Sequence, residues 1–246
     1  TKSWQNSNDN KIDYILKHSD TIDRIHLNGG EPFMQEGVYE LLEVLLKHNL
    51  HKKIKIWAHT NGSITTYKGV DIVDKYLKHW RADCNIIMSH DGHGERGEYV
   101  RFGLKQKKWL ETYNRLYDTG IKVDIQTCYN VFNAVTLEQV YDWYLQNLNI
   151  KDNISINVWN GPDAFTANFL QINSDLLNQA NYQLDQIENK LISGWDIQSL
   201  RSFLNAPVED LIQRQKNFKA GILEFDRLRG TDFAKTFPEL KCLLEL

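Results

Sequence analysis

An alternation constrains this chain more than any other feature. Short runs rich in β-branched and apolar residues fall at 22–27, 52–58, 84–88, 121–127 and 154–158. Helical patterns separate them at 36–49, 70–80, 105–118 and 136–148. The first of these helices shows the signal clearly: Val38, Leu41, Leu42, Leu45 and Leu46 recur at i, i+3, i+4 spacing. The first three strand exits lie roughly thirty residues apart, the length of one βα repeat. Repeated βα units predict a parallel sheet with right-handed crossovers, curling toward a barrel or half-barrel. All strand exits of such a sheet fall on one rim, where α/β folds place their chemistry.

Beyond about residue 168 the strands stop. A helix is predicted over 173–192, with Leu176, Leu177, Ala180, Leu184, Ile187 and Leu191 as its apolar set. A second is predicted over 208–228, interrupted by Gly221, and a last short one near Pro238. The domain reading is therefore a barrel-like core over 1–168 and a helical extension over 169–246. The net charge is −3 and no long basic run occurs, which argues against a nucleic-acid surface or an anionic-membrane surface. No segment has the apolar length of a membrane span and no signal peptide is visible, so a cytoplasmic protein is expected. Cys84, Cys128 and Cys242 are too dispersed for a disulfide framework or a zinc knuckle, and each is expected to be a small buried apolar residue. The sequence opens on Thr1 rather than Met, so a processed chain or a fragment is expected.

The strand exits carry the candidate site. The first is Gly29-Gly30-Glu31-Pro32. Two glycines permit a sharp turn and close approach to a ligand, and the proline fixes the chain after the acid. Carbonyl and carboxylate oxygens there suit an amino group. The second exit, Thr60-Asn61-Gly62-Ser63, offers hydroxyl and amide donors, or equally an Asn-Gly turn with a cap. At the third, Ser89 and Asp91 have the spacing to bond a ribose diol, or to satisfy their own loop. Arg101 follows, a fork that matches a carboxylate. Gln126, Cys128 and Asn130 mark the fourth exit, and Trp159 and Asn160 the fifth, where an aromatic beside a glycine turn suits a purine. His59, His90, His93 and Glu95 form an alternative metal set. Alternation along a strand, however, turns His90 away from the face shared by Ser89 and Asp91.

Taken together and in order, Gly29-Gly30-Glu31-Pro32, Thr60-Asn61-Gly62 and Ser89-His90-Asp91-Gly92 resemble the GGEP, TNG and S-x-D-G strand ends of the radical SAM superfamily, over about residues 20–160. The length and the tail ending in Phe237-Pro238-Glu239-Leu240 resemble its twitch-type members. The resemblance implies a partial (β/α)6 TIM-like barrel with parallel strands that binds S-adenosylmethionine. Gly29, Gly30, Glu31 and Pro32 would hold the methionine amino group, with Thr60 and Asn61 on the adjoining rim. Ser89 and Asp91 would lie near the ribose, Arg101 at the methionine carboxylate and Asn160 near the adenine. It also implies a [4Fe-4S] cluster that cleaves the cofactor to a 5′-deoxyadenosyl radical for hydrogen abstraction. A flavodoxin- or ferredoxin-like electron donor and a peptide or small-molecule substrate go with it.

One departure stands out. The family holds its cluster on a CxxxCxxC loop after its first strand, and this sequence has none. The GGEP strand is the family's second, so the expectation is a chain whose first βα unit, with the cluster ligands, is missing. Such a chain alone would not cleave the cofactor. Two further readings stay open: a cluster-free binding or scaffold module, and a metal-dependent hydrolase using the four His and Glu residues above.

Overall fold

A computed structural model describes residues 8–149, 154–159, 161–190 and 196–245. Helix α1 (Asn8–Lys17) precedes strand β1 (Arg24–Leu27), and α2 (Glu36–Lys47) leads to β2 (Lys55–Thr60). A two-residue hairpin, β3 (Thr66–Tyr67) and β4 (Val70–Asp71), runs into the short helix α3 (Ile72–Lys75). Then come β5 (Cys84–Ser89), α4 (Gly94–Val100), α5 (Gln106–Asp118), β6 (Lys122–Tyr129), α6 (Leu137–Asn147) and β7 (Ile154–Val158). The tail holds α7 (Ser174–Lys190), α8 (Ile197–Leu204), α9 (Leu211–Arg229) and the short α10 (Phe233–Thr236).

The five longer strands form one parallel sheet in the order β1-β2-β5-β6-β7. This is the α/β partial barrel that the alternation predicts. Two compact units divide the chain. The first comprises the chain through Ser89 together with Lys107–Asp124; the second comprises His90–Gln106 and Ile125 onward.

In the first unit β1 pairs with β2 and β2 with β5, in register Leu27↔Ala58 and Ala58↔Ile86. The apolar positions of α2 and the strands close over its core: Phe33, Leu42, Leu45, Ile56, Ala58, Ile86 and Trp109 are fully buried. Each such large side chain contributes about 1.5–3 kcal/mol on leaving water. In the second unit β6 pairs with β7, Cys128 opposite Asn157. Its core is dominated by phenylalanine: Phe169, Phe218, Phe233 and Phe237 are completely enclosed, with Phe132 among them.

The structure departs from the sequence pattern in several places. The helix expected over 70–80 is only Ile72–Lys75, followed by a 3-10 turn at Leu77–His79. The segment is pinned at both ends: Asp71 is clamped by Arg115, and the Trp80 indole donates to the Ile54 carbonyl at 2.8 Å. Gly221 does not interrupt its helix. A Cβ there would lie 2.9 Å from the Phe165 ring, so the glycine admits close packing within a continuous α9. Cys84 is buried as expected, but Cys128 and Cys242 are only half-buried.

Candidate functional site

In the first unit Glu31 organises two strand exits. Its Oε1 accepts from the Thr60 hydroxyl at 2.8 Å and from the Phe33 N–H at 3.3 Å, and its Oε2 accepts from the Asn61 N–H at 2.9 Å. The carboxylate therefore caps the 3-10 turn that Pro32 opens and also ties the GGEP turn to the TNG turn. Gly29 takes φ +125°, a conformation that side-chain-bearing residues avoid. Gly30 is different: a Cβ built there meets nothing within 4 Å, so no protein neighbour requires the glycine and the space beside it is open to a ligand. Gly62 is required sterically, because a Cβ would stand 2.5 Å from Met88 Cε and 2.8 Å from the Trp109 ring.

Thr60 is fully committed, donating to Glu31 and accepting from the Gly62 N–H. Asn61 folds into an Asx-turn, with Oδ1 accepting from the Ser63 N–H at 2.8 Å. Its Nδ2 donates to no described residue. The Trp109 indole donates to the Ser89 carbonyl at 3.2 Å, while the Ser89 hydroxyl has no partner among the described residues.

In the second unit Asp91 is 6% exposed. Its Oδ1 accepts from the Cys128 N–H at 2.7 Å, and Oδ2 forms an ion pair with Arg101 Nε at 2.8 Å. The pairing is not an aligned hydrogen bond: the Arg101 Nε hydrogen is unmatched, and the guanidinium gives no aligned bond to any described residue. A buried carboxylate thus holds a cationic fork through its Nε, while the terminal N–H groups give no hydrogen bond to any described residue.

That fork lines a cavity of about 290 Å³, together with Phe132, Trp159, Phe165, Phe225, Asn130 and Arg229. The Trp159 indole folds over Gly161, where a Cβ would fall only 2.1 Å from the ring. Asn160 lies outside the described residues.

The fourth exit supplies the framework. Asn133 Nδ2 donates to the carbonyls of Asp91 (3.1 Å) and Cys128 (2.8 Å), while Asn130 donates to the Cys128 carbonyl and accepts from the Phe132 N–H. Burial, with Asp91 beside it, pushes the Cys128 thiol up to about 11, so it stays protonated at neutral pH. Gly97 on α4 completes the frame: a Cβ there would stand 1.9 Å from the Gly92 carbonyl oxygen.

The sequence pattern singled out Asn130 but not Asn133 or Gly97. The three-residue spacing of the two asparagines at a strand exit is the one signal that points to such a bracket.

The alternative metal set is not assembled. His90 turns away from the strand face as alternation requires, and it is enclosed, with Nδ1 3.1 Å from the Tyr144 hydroxyl and Nε2 3.1 Å from Gln106 Oε1. Its ring stacks on Trp143, and burial lowers its pKa to about 3. His93 also stacks on Trp143. Among the described residues no three His, Cys, Asp or Glu side chains converge to hold a metal, and the dispersed thiols do not fit an iron–sulfur cluster. No helix among the described residues is long and apolar enough to cross a membrane.

No protein-family model matches the chain, and no curated protein matches it. Solved structures do. The structure of native anSMEcpe with bound AdoMet superimposes with a TM-score of 0.52 at 16% identity, covering 85% of this chain and 61% of that one. Streptococcus suis SuiB superimposes with a TM-score of 0.52 at 16% identity, covering 77% and 42%. SuiB bound to the precursor peptide SuiA gives 0.50 at 16%, covering 88% and 51%. This chain therefore spans about two-fifths to three-fifths of the length of these proteins. At this identity the likeness is one of fold, and it agrees with the fold that the strand-exit motifs imply.

Proposed function

We propose that this chain is the S-adenosylmethionine-binding part of a radical SAM enzyme. The observation that carries the reading is Arg101: a guanidinium fixed through Nε by a buried aspartate, with its terminal N–H groups bonded to no described residue, on the wall of an aromatic-lined cavity. A zwitterionic nucleoside has the matching parts, a carboxylate for the fork and a purine for the aromatic walls. The open space at Gly30 and the oxygen-rich turn around Glu31 suit the amino group. The free Ser89 hydroxyl suits the ribose, with Asp91 acting chiefly through Arg101. Asn61 contributes its unused amide, Thr60 holds Glu31, and Asn160 with Trp159 is assigned to the adenine.

When bound and reduced by a cluster, the cofactor supplies the radical that abstracts hydrogen. This chain's residues bind and orient the cofactor; they do not supply the cluster's ligands. The reading therefore includes an iron–sulfur cluster held elsewhere, an electron donor of the flavodoxin or ferredoxin kind, and a cytoplasmic setting. The neighbours solved with peptides favour a peptide substrate.

Calorimetric titration of the 246-residue chain with S-adenosylmethionine tests the binding reading. Saturable binding is expected, weakened about tenfold to a hundredfold in Arg101→Met, since a hydrogen bond to a charged group contributes about 1.5–3 kcal/mol. No binding, or equal binding by the variant, overturns it.

A further inference from the structure

The aromatic cavity has one cation more than the cofactor accounts for. S-adenosylmethionine carries a single carboxylate, and Arg101 receives it in the reading above. Arg229 also lines the cavity, and it lines a second space in the same unit, a cleft of about 520 Å³ bordered by Phe102, Lys105 and Lys235 and by the acidic Glu95, Glu98 and Asp232, with Lys105 already paired to Glu98 at 2.8 Å.

Arg229 is held in place without using up its donors. Its guanidinium lies 4.2 Å from the centre of the Phe225 ring and 5.1 Å from that of Phe102. One N–H donates to the Tyr99 carbonyl at 3.2 Å, and no other hydrogen bond from Arg229 reaches a described residue. Nor does it form an ion pair with any described carboxylate. Asp226, one turn earlier on α9, is engaged by the Thr231 hydroxyl and the Phe233 N–H.

A bland account exists: a cation in the last turn of a helix complements the helix dipole. That account explains the position of Arg229 but not the two rings packed on it. It also leaves Phe102 unexplained, a phenylalanine 67% exposed whose ring lies over this guanidinium. Aromatic stacking on a guanidinium fixes its plane while leaving its edge available, an arrangement suited to receiving an oxyanion with two oxygens in that plane.

We infer that Arg229 is a specificity-determining residue for a substrate bearing an oxyanion, a carboxylate or a phosphate, taken up on the cleft side while Arg101 serves the cofactor. The role toward substrate rests on the cofactor reading; the oxyanion site itself does not.

The test is side-chain NMR of the uniformly labelled 246-residue chain, with the Arg229 Nε–Hε resonance assigned by its loss in Arg229→Lys. The probes are phenylacetate, phenylphosphonate and the neutral phenylacetamide, each titrated with and without saturating S-adenosylmethionine. The expected result is a saturable shift of the Arg229 resonance with at least one anion, little with the amide, and persistence when S-adenosylmethionine is present. Tighter binding of phenylacetate or of phenylphosphonate assigns the carboxylate or the phosphate source. Arg229→Met, which retains a flexible apolar chain beside the two rings, is expected to weaken the anion about tenfold or more.

Equal shifts with the amide overturn the inference. So does complete displacement of the anion by S-adenosylmethionine, which would place it at Arg101. If S-adenosylmethionine fails to bind while the anion still shifts Arg229, the cofactor reading falls and the oxyanion site stands. The wild-type titrations decide the matter even if Arg229→Met folds poorly.

Discussion

Asp71→Asn is the most informative single change in the first unit. One carboxylate there gathers an unusual number of donors. Its Oδ1 accepts from the backbone N–H groups of Val73 and Asp74 at 2.9 and 3.0 Å. Its Oδ2 accepts from the hydroxyls of Thr65 and Thr66 at 3.0 and 3.1 Å. The Arg115 fork closes on both oxygens at 2.7 and 2.8 Å, joining the hairpin that follows the TNG turn to α5. Burial by itself would raise this carboxyl's pKa, but the Arg115 bonds and the backbone donors outweigh it and bring the value to about 2, from an ordinary 3.8.

The sign follows from linkage. A carboxylate with a depressed folded pKa contributes stability that is complete above its unfolded value and disappears as pH falls through the folded one. The difference between 3.8 and about 2 corresponds to about 2.4 kcal/mol at neutral pH, since one pKa unit is about 1.4 kcal/mol. With only 21% of the side chain exposed, little of that is screened away. Asparagine keeps the shape but turns an amide against a donor, so Asp71→Asn is expected to cost about 2–4 kcal/mol at pH 7. Urea unfolding of both proteins between pH 7 and pH 2 is the assay. The gap should be widest above about pH 4 and shrink toward pH 2, as the wild type loses its charge and the variant has none to lose. A gap that stays constant down to pH 2 refutes the electrostatic account, leaving only a packing effect.

Two further outcomes can be checked. His90 is held neutral by burial, its pKa lowered to about 3, so its imidazole NMR signals should not titrate between pH 8 and pH 4; stability linked to it is present above about pH 6.5 and declines as pH falls below that. A midpoint near 6 would show that the ring is accessible. Glu31→Gln places an amide N–H₂ against Thr60, Phe33 or Asn61, whichever way it turns. It should lower stability by about 1–3 kcal/mol in urea unfolding and weaken S-adenosylmethionine binding in the same calorimetric titration, while unchanged affinity would detach Glu31 from the cofactor.

The sheet was legible because its signal is local and repeated. Strand runs and amphipathic helices at a fixed cadence report burial directly, and β1, β2, β5, β6 and β7 all fall where that cadence sets them. The GGEP, TNG and S-x-D-G stretches were legible as motifs, but their division of labour was not. Asp91 reads as a ligand for a diol, yet its buried oxygens face Cys128 and Arg101. That depends on contacts between residues ten to forty positions apart, which no periodicity encodes. The hairpin at Thr66–Asp71 and the helix Gly94–Val100 escaped for a related reason. Lys68 takes a left-handed turn without being glycine, and Gly97 sits in a helix because of the Gly92 carbonyl beside it. Arg229 was the hardest to see. A basic residue closing a helix is common, and only the two rings packed on it set this one apart.

Three carboxylates, two at strand exits and one in the β3–β4 hairpin, are braced by protein donors. Both oxygens of Glu31, of Asp71 and of Asp91 already accept from protein donors or pair with an arginine. Acidic side chains near a site are usually read as ligands for cations or hydroxyls, but here they hold other groups in position. What remains open is mostly donors: the Asn61 amide, the Ser89 hydroxyl, and the guanidinium groups of Arg101 and Arg229. Donors of this kind pair with acceptors such as hydroxyl, ring and carboxylate oxygens. The exception is the first exit. There the Gly29 and Gly30 carbonyls accept no described hydrogen bond and Glu31 Oε2 accepts only one, so acceptors outnumber donors at that turn. Within the first unit the Gly29–Glu31 turn thus offers acceptors, and within the second Arg101 offers a cation; the proposed reading assigns the cofactor's amino group to the former and its carboxylate to the latter. A neutral nucleoside lacking both charges should bind this chain far more weakly than S-adenosylmethionine, and adenosine in the same calorimeter provides that comparison.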